Sequence, residues 1–152
     1  MRFLFFWVAF FLASPALATL GQTMIIQPGA ISSLTSGARL QSIRPSLYLT
    51  NESQLESGTS VREYSDLNGL VFAVDWSGPV IPDLISILGI YFNIFQMDVA
   101  QARLEGRYRA PVNVSRDGVV IRSNGRMRTF FGHAYLPSLV PSGVNIGDVL
   151  HQ

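Results

Sequence analysis

Leu67-Asn68-Gly69-Leu70-Val71-Phe72-Ala73-Val74-Asp75-Trp76 decides the fold, because a turn dipeptide runs straight into a strand that is apolar on nearly both sides. Asn-Gly is the strongest short hairpin signal, since both residues tolerate the positive φ of a type I′ loop. A two-residue loop there sets Leu67 opposite Leu70, Tyr64 opposite Ala73 and Arg62 opposite Asp75. The last pair is an opposite-charge pair worth about 0.2–1 kcal/mol. Beyond the loop one face carries Leu70, Phe72, Val74 and Trp76 and the other Val71, Ala73 and Asp75, which suits a central strand. Upstream, Ser57-Gly58 separates that hairpin from a strand-like stretch opening at Leu47-Tyr48-Leu49-Thr50, so three strands form a first meander.

A second set of turns follows residue 111. Asp117-Gly118 and Asn124-Gly125 separate Val112 to Arg116, Val119 to Ser123 and Arg126 to Leu136, a second three-stranded meander. The first loop puts Val114 opposite Ile121. The second sets Ile121 against Arg128, an untidy match that points to a bulge in the last strand.

Between the meanders, Pro82 to Gly106 reads as a helix. Pro82-Asp83 suits a first turn, Arg103 and Gly106 suit an end, and Gly89 alone interrupts it. Ser86, Gly89, Asn93, Gln96, Ala100, Arg103 and Arg107 trace one narrow polar or small stripe, while nearly every other position is apolar. A helix of that kind either lies deep between layers or offers apolar surface to a partner. The uncharged run Leu84 to Met97 is too short to span a bilayer, so no transmembrane span is expected in the mature chain. The expected fold is α+β, two antiparallel three-stranded meanders flanking one long, largely buried helix. A protein partner or self-association through that helix is the first functional expectation.

The N-terminus supplies an address. Arg2 precedes an apolar stretch, Phe3 to Ala13; Ser14-Pro15 breaks it, and Ala16-Leu17-Ala18 places small residues at −3 and −1 of a signal peptidase site between Ala18 and Thr19. Residues 1–18 are therefore expected to be a signal peptide, 19–45 a low-order arm rich in Gly, Ser, Thr and Gln, and 46–150 a single α+β domain. The chain has 11 basic and 10 acidic residues, and losing Arg2 leaves the mature form formally neutral. That argues against nucleic acid as a partner. Cysteine is absent, which removes disulfides, thiol nucleophiles and a lipid-modified N-terminal Cys; every basic residue is Arg, from which no function is drawn.

Ser57-Gly58-Thr59, Val61-Arg62-Glu63-Tyr64, Gly69, Val71-Phe72-Ala73-Val74, Trp76, Gly78-Pro79, Pro82-Asp83-Leu84 and Leu88-Gly89 resemble a family of small secreted proteobacterial proteins, domain of unknown function 2844. So do Gly132-His133-Ala134-Tyr135-Leu136-Pro137 and Pro141-Ser142-Gly143-Val144. The resemblance implies export to a bacterial envelope, periplasmic or beyond. It carries over no catalytic or binding residue.

No chemical constellation stands out. His133 could act as a base with a serine and Asp75 or Asp83, but there is no Gly-x-Ser-x-Gly elbow, and a structural imidazole alternating with Phe131 and Tyr135 is preferred. His133 and His151 are the only histidines and the acids lack ligand spacing, so neither a metal nor another cofactor is expected. Nor does any spacing single out two carboxylates for glycoside cleavage. Arg103, Arg107, Arg109, Arg116, Arg122, Arg126 and Arg128 face only Glu105 and Asp117 within one stretch. A solvated sheet face accounts for them, and the sharper expectation is contact of Arg122, Arg126 and Arg128 with an anionic envelope polymer or lipid surface. Trp76, between the central strand and the helix, is expected to plug the end of the core rather than stack on a ligand. The expected protein is an exported, non-enzymatic accessory or binding protein, with a small hydrolase built on His133 as the alternative.

Overall fold

The computed structural model describes residues 19–23, 47–108 and 110–150. The remainder of the expected signal peptide and arm, together with Arg109 and His151, lies outside the described residues. The elements run β1 (Leu49–Gln54), β2 (Ser60–Ser65), β3 (Val71–Gly78), α1 (Leu84–Leu88), α2 (Phe92–Leu104), β4 (Val112–Arg116), β5 (Val119–Arg126), β6 (Thr129–Tyr135) and α3 (Ile146–Val149). The architecture is α+β. The two expected ribbons are joined, however, into one six-stranded antiparallel sheet ordered β1-β2-β3-β6-β5-β4. Their seam is the β3–β6 ladder from Ala73↔Tyr135 to Gly78↔Phe130. The apolar two-sidedness of β3 is the reason: with both faces covered, its backbone groups need strand partners on both edges.

The first hairpin reaches its expected register by a different route. Asp66 N–H donates to Leu70 O at 3.0 Å and Gly69 N–H to Asp66 O at 3.0 Å, closing a three-residue loop rather than a two-residue one. Gly69 takes φ +85°, the left-handed residue such a loop requires. The Asp66 carboxylate secures it, accepting from the N–H groups of Asn68 at 2.9 Å and Leu70 at 2.8 Å, and these bonds hold its pKa below the usual carboxylate range. A register shift between Tyr64 and Ser65 then offsets the extra loop residue. Tyr64 therefore faces Ala73 and Arg62 faces Asp75, as the sequence predicts.

The second meander keeps Val114 opposite Ile121 but departs at its other turn. Asn124-Gly125 lies within β5, and the loop is Met127-Arg128, with φ +30° and +67°. Ile121 consequently faces Ala134, not Arg128, and the β5–β6 ladder runs unbroken from Val120↔Tyr135 to Arg126↔Thr129. Gly125 is there for closeness: a β-carbon would collide with the Phe130 ring across the ladder.

The helix starts at Leu84, two residues later than Pro82 suggests. Asp83 is the N-cap and accepts from Ile85 N–H at 3.0 Å and Ser86 Oγ at 2.6 Å. Gly89, at φ +53°, ends α1, a 3₁₀ turn spans Gly89–Tyr91, and α2 continues to Leu104. Arg107 N–H to Ala102 O and Gly106 N–H to Arg103 O, at 2.8 and 3.0 Å, close it as a Schellman motif. By length and composition Leu84–Leu104 could cross a membrane, yet only 17% of its most apolar window is buried in the domain. The expected largely buried helix is corrected accordingly. A single sheet covers one side of a helix, and among the described residues no second layer covers the other.

Leu84, Ile87 and Leu88 pack with Val61, Val71, Val74, Trp76, Val114, Val119, Ile121, Ala134 and Leu136 on the helical side of the sheet. Of the expected arm, Thr19–Thr23 docks on this core, with Leu20 buried and Thr23 bridged to Leu70. A smaller cluster covers one end of the opposite side, where Val149 and Leu150 meet Tyr64, Phe72 and Ala73. The register shift places Phe72 beside Ala73 in that cluster, so β3 feeds both cores.

Candidate functional site

The side of the sheet away from α1 and α2 is covered at one end only. Registers carry a single polar row across all six strands: Glu52, Arg62, Asp75, His133, Arg122 and Asn113. At about 4.8 Å per strand the row spans about 24 Å. Arg62 Nε pairs with Glu52 Oε2 at 3.3 Å, and the Tyr64 hydroxyl donates to Asp75 Oδ2 at 2.6 Å. Both acids of the row are thereby occupied at the β1–β3 end, which leaves the β5–β6 end to cations.

At that end Arg122 and Asn124 are exposed on β5 beside His133 and Phe131 of β6. Phe131 is 49% exposed, an aromatic ring on open sheet. Arg126 continues the same alternation, and Arg128 sits in the loop beyond it. Among the described residues none of these three arginines forms a salt bridge. By contrast Arg107 pairs with Glu105 at 2.6 Å and Arg116 with Asp98 at 3.9 Å, while Arg103 lies on the exposed side of α2.

His133 has its pKa lowered, first by burial and then by the positive charge of Arg122, with Asp75 opposing. Its ring lies 6.4 Å from that of Tyr135. The imidazole is consequently held toward its neutral form inside an otherwise cationic patch. No hydrogen bond joins His133 to Asp75 or to Ser77, the exposed serine two residues on, so the base–nucleophile link of a hydrolase is absent among the described residues. Asp83 caps the helix on the other side of the sheet.

Trp76 stands apart from this surface. It is 1% exposed in the helical-side core, lying across Gly132, where a β-carbon would strike the indole ring and the Arg122 carbonyl oxygen. Phe131 is the site residue the sequence did not single out, although its alternation with His133 and Tyr135 was visible.

No curated protein and no solved structure matches the chain. A family model described as "Protein of unknown function (DUF2844)" matches residues 16–149. That span takes in the docked Thr19–Thr23 segment, the whole sheet with its polar row, the larger core and α3. The chain is therefore a member of the DUF2844 family.

Proposed function

We propose that this is an exported, non-enzymatic binding protein of the cell envelope, periplasmic or released, and that it holds an anionic polymer on the open face of its sheet. The observation that carries the reading is the pair Arg122 and Arg126 on the strand beside the exposed ring of Phe131, with Arg128 in the adjoining loop, all three without acidic partners among the described residues. Guanidinium forks suit carboxylate and sulfate groups, and an exposed ring suits the C–H face of a sugar. The ligand class is an acidic polysaccharide. Replacing all three arginines by Gln is expected to weaken co-sedimentation with polygalacturonate at low salt at least about tenfold, since each lost contact removes a charge-assisted interaction. Unchanged binding, or binding to anionic lipid vesicles but not to the polymer, would overturn the proposal.

A second reading, self-association through the helix, has its own support. Ile90, Met97 and Leu104 recur every seven residues on the solvent side and are 77%, 63% and 84% exposed. Light scattering of the mature form tests it: a dimer converted to monomer by Met97→Glu with Leu104→Glu supports it, and a monomer at all concentrations removes it.

A further inference from the structure

Thr19–Thr23 is built into the domain rather than laid against it. Leu20 is 2% exposed within the core that contains Ile87, Leu88 and Leu136. Its N–H donates to Ile87 O at 2.9 Å, Gly21 N–H to Val71 O at 2.9 Å and Val71 N–H to Gln22 O at 3.1 Å. The Thr19 hydroxyl donates to Ser86 O at 2.9 Å. The segment thus engages the last turn of α1, where helix carbonyls run out of helical partners. The Gly89 break makes room for it, because a β-carbon there would strike the Thr19 methyl.

Ala16-Leu17-Ala18 ends immediately before this docked segment. A protease hydrolyses a bond drawn out in its own cleft together with residues on both sides, so a bond one residue from a buried leucine is reached only through opening. We infer that the Ala18–Thr19 bond is cut only while Leu20 is undocked, so that processing precedes closure of the core and the freed Thr19 end becomes a structural part of the domain. In the cut, water adds across the amide, leaving the Ala18 carboxylate and the Thr19 α-ammonium group. The inference rests on the export reading above.

The test compares two substrates of a purified signal peptidase in detergent, the folded full chain and a synthetic peptide covering Phe10 to Thr23. The peptide is expected to be cut between Ala18 and Thr19, and the folded chain at least about 100-fold more slowly, in proportion to its open fraction. Full-chain Leu20→Asp is expected to recover most of the peptide's rate. Hydrogen exchange at the Leu20 and Gly21 amides of the unaltered chain is expected to speed up in step with cleavage as urea is added. Equal rates for folded chain and peptide would overturn the inference while leaving processing intact, and an uncut peptide would overturn both.

Discussion

Tyr64 and Asp75 face one another diagonally across the β2–β3 ladder, and the phenol donates a 2.6 Å hydrogen bond to the carboxylate. Burial first, then this bond and the charge of Asp75, push the Tyr64 pKa well above its ordinary value of 10.0. The folded protein therefore keeps a proton that the unfolded chain releases above pH 10, and stability is full below that pH and falls as pH rises through it. Tyr64→Phe is expected to cost about 1–3 kcal/mol near neutrality and to flatten the alkaline decline, both measurable by urea unfolding at a series of pH values.

His133 gives the opposite dependence. Its folded pKa lies below the ordinary 6.5, so the unfolded chain binds the proton first and stability falls as pH drops below 6.5 toward the folded value. Arg122→Gln removes one of the two causes of the depression, and the His133 imidazole is expected to titrate at higher pH in that variant by proton NMR. A shift in the other direction would mean that Arg122 does not act on the ring.

Gly132→Ala forces a methyl group into the Trp76 ring and the Arg122 carbonyl oxygen. With backbone on one side and a fully buried indole on the other, neither neighbour can give way cheaply. The expected loss is about 1–3 kcal/mol or more, seen as a lowered thermal midpoint with altered Trp fluorescence.

Asp83→Ala removes an N-cap that receives hydrogen bonds from Ile85 N–H and Ser86 Oγ. A loss of about 1 kcal/mol is expected. The Asp83 pKa is depressed chiefly by the Ser86 hydroxyl, so its contribution is present above the ordinary 3.8 and disappears as pH falls through the folded value. An acid-unfolding curve of the variant should lose that part of its pH dependence.

Much of the first hairpin was legible because two deviations from its simplest form cancel. The loop has one residue more than Asn68-Gly69 suggests, and the shift at Tyr64/Ser65 restores the alignment of Arg62 with Asp75. The second hairpin had no such rescue. Its loop, Met127-Arg128, takes positive φ without Gly or Asn to announce it, while Gly125 serves ring packing against Phe130. That misplacement also hid the candidate site, since His133 reaches Arg122 only in the observed register. The β3–β6 ladder was illegible for a different reason: it depends on which edge of a two-sided strand is left unpaired, and no local signal encodes that. The exposure of the helix followed from the same omission, because two separate ribbons would have covered both of its sides.

The β3–β6 seam joins strands separated by the whole helical segment and the β4–β5 hairpin. Each meander can zip up from its own loops, but the seam requires closure of a long intervening stretch before any of its ladder contributes. The two halves are thus kinetically unequal to their union: hairpins should appear early, and docking of β6 onto β3 should limit the rate of folding. Until then both unpaired edges remain adhesive, and a newly made chain passes through a window in which the β3 and β6 edges can pair with those of another molecule.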